Sequence, residues 1–258
     1  MLATVIVDAF RKEESIQIAK ALDEICSPDD NYGWSSAAVY SFWNPLNREI
    51  LYIGLAIDLP QRFRQHNGLL PAPRDACKIC QIQEYFSVND KLGFSIFVQS
   101  ILSQPLCRRA LEQYGTHSEQ ILTASKELLD QGLLEIKLLE GLLLKSFLVK
   151  NGRLPEWNSI GGSVAGQRIQ YPNPKILLRY LTFSNTGPLL ARASLREIAD
   201  NATYETFEQF LHSVRLRMFR LSGVDFRTAF GAVFNGANIR ERILESGYLN
   251  KKPEIDLD

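Results

Sequence analysis

The run AAVYSFWNPLNREILYIGL, residues 37–55, leaves the chain few ways to fold. An aromatic and β-branched stretch, a polar turn NPLN, and a second such stretch read as a strand–turn–strand hairpin. A hairpin by itself is marginal in water and has to bury a face against something else. Residues 58–67, DLPQRFRQHN, supply a partner helix, with Asp58 as N-cap and Pro60 in the first turn, ended by GLLPAP. Tyr40 falls on the first strand and Tyr52 on the second, while Arg62 and His66 lie one turn apart on the helix. Packing explains the apolar pattern of this unit but not these four polar choices.

Around the unit the pattern varies. The N-terminal stretch opens with a short apolar run and continues as a helix through EESIQIAKALDEIC, whose apolar positions recur near helical spacing. KICQIQEYFSV and LGFSIFVQSIL, joined by NDKLG, read as a second hairpin. From residue 105 to residue 148 the tendency is helical, and NGRLPEWNSIGGSVAG marks a boundary. Beyond it, helices are expected over 175–181, 194–199 and 203–219, with a frayed charged tail NKKPEIDLD. The expected class is α/β (α+β): a small antiparallel sheet flanked by helices, with an α-helical C-terminal extension. Three regions follow: 1–36, an N-terminal helical segment; 37–160, the hairpin unit with an inserted hairpin and helix; and 161–258, α-rich.

Composition excludes several classes. The 258 residues carry 29 basic and 29 acidic side chains, so no bulk charge drives binding to polyanions. No basic start leads into an apolar run at the N-terminus, and no uncharged stretch reaches bilayer length. Four cysteines in a chain of this length do not make a disulfide scaffold, so a reduced, cytoplasmic setting is expected.

The ordered set Ala38-Val39-Tyr40, Tyr52-Ile53-Gly54, Arg62, His66, Glu140 and Asn158 resembles the GIY-YIG nuclease family. The second motif is intact. The first has alanine where the family has glycine, and the interval from Glu140 to Asn158 is longer than usual, with VKNGR as the apparent insertion. Region 37–160 is then the nuclease domain. The resemblance implies a metal-dependent DNA endonuclease, site- or structure-specific, such as a restriction or mobile-element enzyme, that leaves a 5′-phosphate. It also leaves open a non-catalytic DNA-binding protein on the same fold. A restriction role on palindromes would require a two-fold homodimer.

Chemistry matches these residue types to the implied reaction. In-line attack of water on a phosphodiester needs a base or orienting group, a cation for the growing phosphoryl charge, and help for the leaving oxygen. Arg62 offers an always-charged fork that matches phosphate oxygens. Glu140 is the expected ligand for a hard cation, Mg²⁺ or Mn²⁺, and its single carboxylate suggests one metal. Tyr40 is the candidate base or water-orienting group, Tyr52 positions the phosphate, His66 partners Tyr40, and Asn158 orients Glu140. A phenol near its reference pKa of about 10 is a poor base at neutral pH, so Tyr40 needs such a partner.

For a DNA-facing surface, three acid-free intervals stand out. The first, between Glu156 and Glu197, holds Arg168, Lys175, Arg179, Arg192 and Arg196. The second, between Glu208 and Asp225, holds Arg215, Arg217 and Arg220. The third, between Asp90 and Glu112, holds Lys91, Arg108 and Arg109. Arg64, Arg168, Lys175, Arg179, Arg215 and Arg217 are the candidate DNA contacts. SLREIADNATYETFEQFLHSVRLRMFR offers a helix-turn-helix reading, with its second helix over 206–219. Cys77 and Cys80 form a lone C-x₂-C and read as structural cysteines. His117 and His212 have no assigned role.

Overall fold

The computed structural model describes residues 2–26, 33–73, 77–103, 119–171, 173–220 and 223–257. Strands β1 (Leu2–Arg11), β2 (Ala38–Trp43), β3 (Ile50–Ala56) and β4 (Lys91–Gln99) form one antiparallel sheet in the order β1-β4-β2-β3. The helices are α1 (Ser15–Cys26), α2 (Leu59–His66), α3 (Ile79–Val88), α4 (Glu119–Asn151) and α5 (Val164–Gln167), followed by α6 (Pro174–Leu181), α7 (Leu195–Ala199), α8 (Ala202–Arg220), α9 (Phe226–Ala232) and α10 (Ile239–Glu245). The mixed α/β class expected from the sequence is the one observed. Among the described residues no helix is long and apolar enough to cross a membrane.

Several local expectations are overturned. The opening apolar run is strand β1, paired along its length with β4, so the N-terminal region is not helical throughout, and the expected helix over EESIQIAKALDEIC follows it as α1. KICQIQEYFSV is helix α3, so there is no second hairpin, and β4 lies between β1 and β2. Ile79, Ile82 and Tyr85 recur every third residue. That spacing puts Ile82 and Tyr85 on one buried side, and the Tyr85 hydroxyl donates to Lys91 O at 3.0 Å. The C-terminal tail is docked rather than frayed. Glu197 accepts from Lys251 Nζ at 2.6 Å and from the Glu254 N–H at 3.0 Å, Asp256 pairs with Lys91 at 2.5 Å, and Ile255 and Leu257 pack on the core.

All six residues of β2 are buried because helices cover both faces of the sheet. On one face lie α1, α2, α7 and α8, contributing Ile18, Leu22, Phe63, Leu195, Phe207 and Leu211. On the other lie α4 and α6, contributing Ile136, Leu143, Phe147, Leu177 and Leu181. The two sheet edges are closed as well. Val5 of β1 exchanges backbone bonds with Leu189 and Ala191, each at 2.8 Å, and the Trp157 N–H donates to Leu51 O of β3 at 2.9 Å.

Helix α2 forms where the sequence puts it. Asp58 caps it by accepting from the Gln61 N–H at 2.9 Å, and Pro60 sits in its first turn. Phe63 is fully buried, with its ring 5.5 Å from Phe10 and 4.9 Å from Phe94. Truncating such a ring to alanine costs about 3–5 kcal/mol. Phe63 thus fixes the helix that carries Arg62 on one side of it and His66 one turn on.

Candidate active site

Tyr40 stands on the central strand β2, directly opposite Gly54 of β3 and Ile96 of β4. Tyr52 precedes Gly54 by two residues and so points to the same face of the sheet. A Cβ on Gly54 would lie 2.6 Å from Tyr52 Cε1 and 2.7 Å from its hydroxyl. The Tyr52 phenol therefore lies along its own strand, in the space the missing side chain leaves, and leans toward Tyr40. The two ring centroids are 5.8 Å apart. Ala38, where the family has glycine, is extended, fully buried and paired with Ala56, so its methyl is part of the core.

His66 ends α2 and is fully buried. Its Nε2 lies 2.5 Å from the Tyr40 hydroxyl, and its Nδ1 accepts the Lys78 backbone N–H at 2.8 Å. An imidazole whose Nδ1 accepts carries its proton on Nε2. His66 is therefore a donor to the Tyr40 oxygen. Burial, with the charges of Arg62 and Lys78, lowers its pKa to about 3, so it is neutral at physiological pH. A protonated histidine balancing the helix dipole is excluded.

Tyr40 is pushed well above the ordinary phenol range by burial and by neighbouring Tyr52, with the charge of Arg62 pulling the other way. Tyr52 is raised by burial, lowered by its hydrogen bond to Tyr40 and by Arg62, and raised by the charge of Glu140. Tyr40 and His66 are thus joined by a hydrogen bond, with Tyr52 and Arg62 beside them.

Glu140 acts on this group through its charge on Tyr52, with no direct hydrogen bond to the two tyrosines, Arg62 or His66. It is half-buried on α4 under the turn 161–163. Burial raises its pKa, and the Ser163 backbone N–H, which it accepts, lowers it. The turn needs Gly162, whose φ is +69° and whose Cβ would stand 3.0 Å from Glu140 Oε2. Gln167 holds the turn by donating to Gly161 O at 2.9 Å and Gly162 O at 3.2 Å.

Asn158 does not touch Glu140 at all. Its side chain pairs with the backbone of Ile53 in the YIG motif, accepting from the N–H at 2.9 Å and donating to the C=O at 2.7 Å. It completes the edge of β3 as a further strand would. The long interval before it has a simple cause. Helix α4 runs eleven residues past Glu140, about 16 Å, and the chain must return along the sheet edge.

Four of the candidate DNA contacts remain open to solvent, and two do not. Lys175 and Arg179 are exposed one turn apart on α6, and Arg217 is exposed on α8. Arg168 is exposed at the C-cap of α5. Arg64 instead forms a two-pronged ion pair with Asp23 that ties α2 to α1. Arg215 is buried in the core, where it pairs with Glu208 at 2.8 Å and donates to Thr4, Pro188 O and Leu190 O. Arg196 pairs with Asp8, and Lys91 with Asp256. Arg108, Arg109, Cys107 and His117 lie outside the described residues. Helix α8 packs on β1 with Phe207, Leu211 and Val214 and is also packed against by α9 and α10. Cys77 is buried, and Cys80, just inside α3, is exposed.

Lys78 belongs to the cluster and the sequence reading missed it. Its Nζ lies 5.2 Å from the Tyr52 ring centroid. The helical spacing of Ile79, Ile82 and Tyr85 was the available signal, since a helix start after residue 78 turns the preceding loop toward α2. Comparison with protein-family models, with curated proteins and with solved structures gives no match.

Proposed function

We propose that this chain is a metal-dependent endonuclease that hydrolyses phosphodiester bonds of DNA at a defined site or structure. The carrying observation is the Tyr40–His66 pair at 2.5 Å with Tyr52 and Arg62 around it, which packing alone does not require. Because His66 donates, it does not take the Tyr40 proton. Its N–H occupies one lone pair of the phenol oxygen, so the Tyr40 O–H is directed toward Tyr52. Tyr40 then takes a proton from the attacking water as its own O–H proton passes to Tyr52, and half-exposed Tyr52 releases its proton to solvent, so that neither phenol rests as a phenolate. Arg62, half-exposed beside both phenols, takes the phosphoryl oxygens as their charge grows.

Among the described residues no group of three or more His, Cys, Asp and Glu stands ready to hold a metal. Glu140 is a single carboxylate, and its bond from the Ser163 N–H leaves other lone pairs open. That donor set fits Mg²⁺ or Mn²⁺, which keep several waters and take one or two carboxylates with substrate phosphate. When bound, the ion supplies positive charge beside the phosphate. A cytoplasmic setting accords with Cys26, a buried free thiol.

The test is nicking of supercoiled plasmid by purified protein with and without Mg²⁺, beside Arg62→Ala and Glu140→Gln. Each substitution should lower the rate by about 10²–10³-fold. Metal-dependent nicking that survives both substitutions refutes the assignment. No nicking, with a stable gel shift indifferent to Glu140→Gln, favours a non-catalytic DNA-binding protein instead.

A further inference from the structure

Arg62 and Lys78 both stand beside the Tyr40–Tyr52 pair, Lys78 over the Tyr52 ring and Arg62 acting on both phenols by its charge. The charge of Arg62 acts on Lys78, and the charges of both act on His66. Lys78 is half-buried, its Nζ lies over the face of Tyr52, and among the described residues no carboxylate pairs with either cation. Arg62 has only the Gln65 amide oxygen, at 3.3 Å. Several half-buried cations of this molecule have acids, Asp23 for Arg64, Asp8 for Arg196 and Glu197 for Lys251, and Arg48, which has none, is covered by the Trp43 and Phe183 rings. Two like charges held close without an acid repel, and an anion between them removes that repulsion.

We infer that Lys78 is the second cation of a phosphate site: its ammonium and the Arg62 guanidinium take non-bridging oxygens of one phosphodiester from two sides, above the tyrosine pair. The inference rests on the proposed function for the identity of the ligand. Lys78 has two separate duties. Its backbone N–H sets the His66 tautomer, and its side chain binds the anion, so a side-chain substitution removes only the second. The geometry also divides the labour of the site, since Glu140 and any metal lie on the α4 side while the two cations approach from α2 and the start of α3.

The experiment uses the full chain with Lys78→Gln and Lys78→Arg. Single-turnover nicking with Mg²⁺ should fall about 10²-fold in Lys78→Gln and return to within several-fold of wild type in Lys78→Arg. Duplex binding with Ca²⁺ in place of Mg²⁺ should lose about 0.9 from the slope of log affinity against log salt in Lys78→Gln. A nicking rate within threefold of wild type overturns the inference. So does a loss of rate that arginine fails to restore while the salt slope is unchanged, because that marks mere packing against Tyr52. If the wild-type protein does not nick DNA, the nuclease reading fails separately and the salt slope decides: a drop of about 0.9 upholds the phosphate contact, and an unchanged slope refutes it.

Discussion

Substituting Gly54 by alanine tests whether the space above this residue is what assembles the tyrosine pair. The added methyl would stand 2.6 Å from Tyr52 Cε1, and ordinary contact begins near 3.4 Å, so the ring must retreat by roughly 0.8 Å. Gly54 has no left-handed backbone to lose, so strain plays no part. Tyr52 is half-exposed and can swing outward, away from Tyr40. Overpacking costs about 1–3 kcal/mol, while the stiffer unfolded chain returns about 0.4–1, so the net loss of stability is at most about 2.6 kcal/mol. A displacement near 1 Å in a reacting constellation costs about 10²-fold in rate. Gly54→Ala should therefore cut single-turnover nicking by about 10²-fold and move the urea midpoint only slightly. Adding Tyr52→Phe to Gly54→Ala should cost little more, because the hydroxyl has already left the site. A nicking rate within threefold of wild type, or a full additive penalty in the double variant, refutes the account.

Two further outcomes concern the frame. Arg196 donates to Asp8 from its side chain at 2.8 Å, and Asp8 is fully buried, so Arg196→Ala strands a carboxylate whose pKa burial already raises. The expected loss is about 3–5 kcal/mol in urea unfolding, and a loss under 1 kcal/mol would show the pair to be incidental. His66 and His212 are both held to a pKa of about 3 by burial, against 6.5 for an open imidazole. The folded chain thus declines protons that the unfolded chain accepts. This stability is whole above pH 6.5 and is lost as the pH falls toward 3, about 2 kcal/mol for each histidine by pH 5. Long-range ¹H–¹⁵N spectra should find both rings neutral at pH 5, and titration of either near 6.5 contradicts the burial argument.

What the sequence made legible was local. The hairpin, the capped helix α2 and the helical stretches around residues 174–181 and 202–220 depend on short-range pattern, and they form where that pattern puts them. The failures are of two kinds. ICQIQEYFSV has enough β-branched and aromatic residues to pass for a strand, and only its three-residue spacing, realised by tertiary packing, decides for a helix. In the acid-free intervals several cations are paired all the same, because ion pairing ignores sequence distance. Arg196 finds Asp8 and Lys91 finds Asp256. Arg215 finds Glu208, the very acid that bounds its own interval. A window free of carboxylates along the chain need not be free of them in space.

The same reasoning explains why the motif locates the candidate chemistry but not its orientation. His66 and Glu140 are each held by a backbone N–H from a residue the motif does not mention. The Lys78 N–H fixes the tautomer of His66, and the Ser163 N–H engages Glu140. These groups come from the stretch between α2 and α3 and from the return path after α4, which by length alone look like insertions. Their contacts are largely backbone ones, so they depend on the path of the chain more than on side-chain identity, and residue type carries little trace of them. Positioning of this kind is worth more here than an extra polar side chain, because a backbone N–H neither titrates nor changes rotamer. The proton on His66 Nε2, and through it the direction of the Tyr40 hydroxyl, is thus set by where residue 78 enters the fold.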